Sequence, residues 1–304
     1  MKFIVTGGSG FIGSHLSRYL IEQNHEVIVI DDLRRGNLKN LQDIENKINF
    51  QKINILNFEE MEKIAINIDG IFHQAGLGSV PQSFKEPEEY YNVNAVGTEN
   101  ILKLAKQIGC KVVYASSSSV YGNQTKFPVS EDAEKNPLNP YGESKLQAEK
   151  FAAKYANYGV KVIGLRYFNV FGIGQNPNYA GVIPKFIKQL SDHKPPVIEG
   201  DGTQVRNFTY VDDVVSANWM AFTSSVDHAF LNIATGTTTS INDLAKIMIT
   251  LSNQNLKPEY VDSRPGDIKK SQADTSLARK MIGWEAKFSL EDGLKEIFPK
   301  NIKS

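Results

Sequence analysis

Short apolar runs alternate along the chain with longer stretches in which apolar residues recur at helical spacing, and the alternation holds from residue 1 to about 170. Lys2-Phe3-Ile4-Val5-Thr6 is brief, β-branched in part and closed by glycine, so it reads as a buried strand. Phe11, Ile12, Leu16 and Leu20 then mark one face of a helix. A second apolar run, Glu26-Val27-Ile28-Val29-Ile30, ends in Asp31, and a polar loop follows to about Asn49. Residues 50–55 predict a third strand, 58–66 a helix, and 70–76 a fourth strand leading into a glycine turn. Residues 87–107 carry apolar positions at helical spacing. Residues 111–115 predict a fifth strand that ends in the serine run 116–119. Pro140 suits a helix start, so a helix is expected over 141–158, followed by a sixth strand over 160–166. Strands alternating with helices predict an α/β chain with a doubly wound parallel sheet.

Beyond Phe171 the texture changes. Gly172, Gly174, Pro177, Pro195, Pro196, Gly200 and Gly202 break the alternation, which suits ligand-contacting loops and short strands. The expected division is a nucleotide-binding unit over 1–172 and a smaller α/β substrate unit over 173–304. A late apolar run at 230–234 is expected to return to the sheet, so the two units are expected to be partly interleaved.

Composition narrows the function. The 304 residues carry no formal net charge, and no long basic run suggests a nucleic-acid surface. Cys110 is the one cysteine. It cannot form an internal disulfide and has no metal-type neighbours, so no metal is expected. No apolar stretch approaches membrane-spanning length. The N-terminus enters the first strand at once, leaving no signal peptide, so a soluble cytoplasmic protein is expected.

The chemistry concentrates in two places. Gly7, Gly10 and Gly13 sit between the first strand and the first helix, where a dinucleotide needs a tight turn, a close backbone approach and a free helix N-terminus. Asp31 closes the second strand eighteen residues after Gly13, placed to accept hydrogen bonds from both hydroxyls of an adenosine ribose. That favours NAD over NADP, with Arg34 and Arg35 expected as solvated loop charges. Tyr141 and Lys145, four apart on a helix, share a face. The serines 116–119 lie at the carboxyl edge of the sheet, where open α/β sheets bind ligands. A serine, a tyrosine and a lysine beside a nicotinamide make a hydride-transfer site, with a nearby ammonium favouring the phenolate.

Taken together, Thr6-Gly7-Gly8-Ser9-Gly10-Phe11-Ile12-Gly13, Asp31, the run 116–122 and Tyr141-x-x-x-Lys145 resemble the extended short-chain dehydrogenase/reductases. The resemblance continues through Arg166-Tyr167-Phe168-Asn169-Val170-Phe171-Gly172, Gly200-Asp201-Gly202-Thr203 with Arg206, Tyr210-Val211-Asp212-Asp213, and Arg264-Pro265-Gly266-Asp267. The last three stretches look like the nucleoside-diphosphate-sugar members. Residues 73–81 look like the UDP-N-acetylhexosamine 4-epimerases. The resemblance implies a Rossmann sheet, NAD, a UDP-sugar substrate and a homodimer built through 88–107 and 141–158. It implies Ser117, Tyr141 and Lys145 as catalytic groups. It also implies cofactor contacts from Gly7, Gly10, Phe11, Ile12, Gly13, Asp31, Asp32, Asn54, Ile55, Gln74, Ala75, Asn94 and Lys145. Substrate contacts would come from Ser79, Ser117, Ser118, Tyr141, Asn169, Val182, Arg206, Arg264, Asp267 and Ser271. Asn54 departs from the family, which usually has Asp facing adenine; its amide can still hydrogen-bond.

The same fold hosts several reactions. Related dehydratases carry an Asp-Glu pair after the catalytic hydroxyl, and UDP-glucuronate decarboxylases a Glu. Here those positions are Ser118 and Ser119, which disfavours both. The resemblance then implies a 4-epimerase acting on UDP-GlcNAc and UDP-GalNAc, and on UDP-Glc and UDP-Gal, through a transient 4-ketosugar. Ser271, small where strict UDP-glucose enzymes carry Tyr, is expected to leave room for an acetamido group. UDP-glucuronate or UDP-glucose 4-epimerases are the alternatives of the same kind. A non-catalytic NAD sensor or scaffold is the alternative of another class, and the intact Ser117, Tyr141 and Lys145 argue against it.

Overall fold

The computed structural model describes residues 1–175, 181–263 and 269–301. In chain order the first half runs β1 (Lys2–Thr6), α1 (Phe11–Glu22), β2 (Glu26–Ile30), β3 (Asn49–Gln51), α2 (Phe58–Ile64), β4 (Gly70–His73), α3 (Val80–Ser83), α4 (Pro87–Tyr91), α5 (Gly97–Ile108), β5 (Lys111–Ser117), α6 (Pro140–Ala156) and β6 (Val162–Tyr167). The second half runs β7 (Val170–Phe171), α7 (Val182–Ser191), β8 (Val197–Glu199), β9 (Val205–Arg206), β10 (Thr209–Tyr210), α8 (Val211–Thr223), β11 (His228–Ile233), β12 (Thr239–Ser240), α9 (Ile241–Leu251), β13 (Glu259–Val261), α10 (Ser276–Ile282) and α11 (Leu290–Asn301).

Seven strands form one sheet in the order β11-β6-β5-β4-β1-β2-β3, and every pairing in it is parallel. A parallel sheet buries both faces, and the alternation of side chains along each strand supplies both. Phe3, Val5 and Val29 face Leu16, Leu20, Val214 and Ala217 of α1 and α8. Ile4, Ile28 and Ile30 face Met61, Ile101 and Ala148 of α2, α5 and α6. A third core joins α7, α9 and α11 through Phe186, Leu244 and Leu294. Segments beyond residue 172 also cover the sheet. β11 extends it beside β6. Ala278, Ile282 and Trp284 join the core under α8, where the Trp284 indole N–H donates to the Asp213 carbonyl at 3.0 Å.

Several elements differ from the sequence reading, β4 among them, which ends at His73 instead of running to 76. β3 ends at Gln51 instead of running to 55. The Ile53 N–H returns to the Gln51 carbonyl at 3.0 Å and the Asn57 N–H to the Asn54 carbonyl at 2.8 Å, so the chain turns there. Ile53 and Ile55 are nonetheless buried, and their alternation imitates a strand. β5 reaches Ser117 instead of stopping at 115, because its pairing with β6 continues to Tyr167. The helical stretch 87–107 is interrupted by a wide π-type turn over Asn92–Val96. Among the described residues, no helix is long and apolar enough to cross a membrane.

Candidate active site

The turn after β1 is shaped by close approach. Gly7 has φ +66°, and a Cβ there would lie 2.6 Å from the Ala75 backbone nitrogen. A Cβ on Gly13 would lie 2.2 Å from the Gly7 carbonyl oxygen, so α1 can meet the turn only with glycine at that position. Among the described residues no side chain caps α1, which leaves its first N–H groups as donors for an anion. The cavity in front of this turn has a volume of about 320 Å³. Every cofactor candidate from the sequence lines it except Asn94 and Lys145. The Asp31 carboxylate is held by the Ser9 N–H at 3.1 Å and the Leu33 N–H at 2.8 Å. Asn54 donates to Asp32 at 3.3 Å, and its amide oxygen accepts the Leu56 N–H at 2.9 Å.

Asn94 lines neither cavity of the site. From the π-type turn it accepts the Leu77 N–H at 2.7 Å and donates to the Leu77 carbonyl and to Ser144 Oγ, both at 3.0 Å. Its side chain thus fixes the backbone beside both cavities. Under it, His73 is held between Thr6 Oγ1 at 2.6 Å and Thr98 Oγ1 at 3.0 Å. Burial, helped by the charge on Lys145, pushes the His73 imidazole down to about 3, so it is neutral.

A second cavity, of about 820 Å³, opens along the carboxyl edge of β5 and β6. Ser79, Ser117, Ser118, Tyr141, Lys145, Asn169, Val182 and Arg206 all line it. Tyr141 and Lys145 face it from the first turns of α6, whose N-terminus is capped by Asn139, with Pro140 in the first turn. Tyr141 shares the cavity wall with Ser117; burial raises the phenol's pKa above the ordinary value, and the neighbouring Ser117 hydroxyl opposes the rise. Lys145 Nζ donates to the Ala115 carbonyl at 2.9 Å, and burial pushes the ammonium down to about 8. The expected acidification of Tyr141 by Lys145 is therefore not what the protein groups produce in this arrangement. Desolvation of the phenol outweighs the other effects, and Ser117 is the group that favours the phenolate.

Asn169 donates to the Asn207 carbonyl at 3.0 Å, and Arg206 to the Val205 carbonyl at 2.9 Å. Ser271 is not among the residues lining the cavity. Its N–H donates to the carbonyl of Val205 at 3.1 Å, the residue between Gln204 and Arg206 of the lining. Arg264 and Asp267 lie outside the described residues.

The sequence reading missed several groups. Arg34 and Arg35 both line the first cavity; Arg34 is solvent-exposed as expected, while Arg35 is partly buried. Arg34 pairs with Asp32 and Glu89, while Arg35 donates to Gln82 Oε1 at 2.9 Å. Gly36 lines the same cavity. Tyr90 is fully buried and packs edge-on against the Tyr141 ring with centroids 6.4 Å apart. Its hydroxyl donates to the Ser79 carbonyl at 2.7 Å and accepts the Ser79 N–H at 3.1 Å. The helical spacing of 87–107 did not single it out.

Comparison with known proteins agrees with this geometry. The model of the NAD dependent epimerase/dehydratase family matches residues 3–234. A UDP-glucose 4-epimerase from Thermotoga maritima, solved with UDP-glucose, is 36% identical with a TM-score of 0.94, covering 99% of both chains. A UDP-N-acetylglucosamine 4-epimerase from Methanobrevibacter ruminantium, solved with UDP-N-acetylmuramic acid, is also 36% identical with a TM-score of 0.94, covering 98% of this chain and 97% of the other. A UDP-glucuronic acid 4-epimerase from Bacillus cereus, solved with UDP-glucuronic acid and NAD, is 32% identical with a TM-score of 0.91, covering 100% of both. The glycine turn, the acid after β2 and the Ser117–Tyr141 pair all lie inside the stretch that the family model matches, and on that match this chain belongs to the NAD dependent epimerase/dehydratase family.

Proposed function

We propose that this protein is an NAD-dependent 4-epimerase of UDP-sugars that interconverts UDP-GlcNAc and UDP-GalNAc and also accepts UDP-Glc and UDP-Gal. The observation that carries the reading is the make-up of the reactive end of the second cavity. Ser117, Tyr141 and Lys145 line it together, and Ser118 and Ser119 continue the wall. Related dehydratases carry Asp-Glu at those two positions and decarboxylases Glu at the second, whereas both are serine here. Inverting an unactivated C4 centre needs only a proton carrier and a hydride carrier.

The first cavity fits a dinucleotide, with glycines where any Cβ would collide, uncapped N–H groups at α1 and an oriented carboxylate at Asp31. Bound NAD supplies the acceptor and donor of the hydride. Asp31 accepts hydrogen bonds from a ribose, while Asp32 and Asn54 bound the adenine side. Tyr141 would take the proton of the C4 hydroxyl as the phenolate, a form that burial disfavours in the protein alone and that the positive charge of a bound nicotinamide would favour, and the phenol would return the proton after the sugar has turned over. The neighbouring Ser117 hydroxyl also favours the phenolate. Lys145 is the buried cation of the cluster below a pH of about 8. Asn169 and Arg206, with Arg264 and Asp267, hold the UDP moiety, which stays anchored while the ketosugar reorients. A guanidinium suits that task because its planar fork matches phosphate oxygens.

Two relatives of equal likeness, one named for UDP-glucose and one for UDP-N-acetylglucosamine, support a pocket that serves both sugar types. Room for the acetamido group is read from the small size of Ser271, whose N–H bonds the carbonyl of Val205, between the lining residues Gln204 and Arg206. Incubation of the purified protein with UDP-GlcNAc, UDP-Glc and UDP-glucuronate, without added cofactor, tests the assignment, with products resolved by NMR. Conversion of UDP-glucuronate alone would replace the proposed substrate, and no conversion of any sugar would overturn the reaction class. The homodimer through α5 and α6 belongs to the same proposal and is tested by light scattering.

A further inference from the structure

One residue below the reactive cluster, three polar side chains cross the carboxyl edge of the sheet in a single row. Ser116 of β5 stands in register with Arg166 of β6, and Arg166 with Asn232 of β11. All three are buried. Beneath them lies Glu149 of α6, one turn beyond Lys145 and two beyond Tyr141, on the same helix face. Arg166 grips Glu149 with two bonds of 2.8 Å, from Nε to Oε1 and from Nη2 to Oε2. Ser116 Oγ donates to Glu149 Oε1 at 2.6 Å. Arg166 also donates to the Tyr121 hydroxyl at 2.8 Å, and that hydroxyl donates to Asn232 Oδ1 at 2.6 Å. The ionic side chains are only 3% and 5% exposed.

A buried ion pair is a weak source of stability, because removing two charges from water offsets most of their attraction. An apolar packing of the same volume would serve the core as well. What the pair adds is fixed geometry, and it adds it where the geometry matters. The strand end that it holds carries Ser117, and the helix that it holds carries Tyr141 and Lys145.

We propose that Glu149 is a positioning residue for the Ser117–Tyr141–Lys145 cluster, clamping the end of β5 to α6 through Ser116 and Arg166. The proposal rests on the reading of those three residues as the reactive groups. Ser116→Ala removes one joint of the clamp and leaves the ion pair whole, while Ser116→Thr keeps the hydroxyl. Glu149→Gln removes the charge at nearly constant shape; if it fails to fold, the serine variants carry the test. In Ser116→Ala, kcat is expected to fall about tenfold, roughly 1.4 kcal/mol, with KM within about twofold of wild type. Ser116→Thr restores it. The ¹³Cζ resonance of Tyr141, assigned by its loss in Tyr141→Phe, shifts in the alanine variant and returns in the threonine variant. A folded Ser116→Ala with unchanged kcat and an unchanged Tyr141 resonance overturns the clamp and leaves the epimerase assignment standing. A wild type inactive on every UDP-sugar overturns the assignment instead, and the Tyr141 resonance then still decides for or against the clamp.

Discussion

Replacing Gly36 by alanine probes the first cavity at a point where the fold itself has little at stake. A Cβ on Gly36 would sit 2.0 Å from Ser9 Oγ and 2.8 Å from each carboxylate oxygen of Asp31, where ordinary contact begins at 3.4 Å. The overlap with Ser9 is thus about 1.4 Å, and the hydroxyl can rotate out of it. The overlap with Asp31 remains, about 0.6 Å at both oxygens, and rotation cannot relieve both. Either the carboxylate leaves its donors, the Ser9 and Leu33 N–H groups, or the loop lifts against the bonds from Asn37 and Asn40 to the Ser9 carbonyl at 3.0 and 2.9 Å. A hydrogen bond to a charged group contributes about 1.5–3 kcal/mol. Losing one such bond, or the equivalent bond to a ribose, weakens NAD binding roughly ten- to hundredfold. Isothermal titration with NAD and separately with UDP measures this, with UDP as the internal control because Gly36 is remote from the second cavity. An NAD affinity within about twofold of wild type would show that Asp31 does not hold the ribose.

Tyr141→Phe should lower turnover by about 10²-fold or more while leaving UDP affinity, measured by titration, near wild type; comparable turnover would falsify the proton-carrier role. His73 is pushed down to about 3 by burial first and by Lys145 second, so between that pH and its ordinary value the unfolded chain binds one more proton. Its contribution is therefore full above pH ~6.5 and lost as pH falls, with a slope of about 1.4 kcal/mol per unit. Urea titrations of wild type and His73→Asn from pH 7 to pH 4 should differ by that slope, and parallel profiles would refute the neutral buried imidazole. Ser271→Tyr should selectively weaken turnover of the N-acetylated pair, since filling occupied space costs on the order of 1–3 kcal/mol. Equal loss for both sugar pairs would remove Ser271 from specificity.

Local pattern carried much of the fold. β1, α1 and β2 lie where brief apolar runs, helical spacing and glycine punctuation placed them, because each signal is contained within a dozen residues. The stretch 50–55 shows the limit. Ile53 and Ile55 alternate as in a strand, yet what makes a strand is a partner's hydrogen bonds, and beyond Gln51 the backbone turns on itself. Arg35 looks solvated in a polar loop, because Gln82 and Tyr90 stand 47 and 55 positions away in sequence.

The sequence by itself determined which residue types could do chemistry, and where glycine, proline and helical spacing force the backbone. Tertiary structure decided which of those residues meet. Tyr141 and Ser117 bring a helix and a strand end to one cavity, and the Glu149–Arg166 clamp joins that helix to the next strand. Trp284 reaches back to Asp213 under the sheet. It also decided the electrostatics. The i, i+4 spacing of Tyr141 and Lys145 suggests a phenol acidified by its neighbour, but burial raises the phenol and lowers the ammonium. Desolvation depends on everything packed around a group, and no local stretch of sequence contains that information.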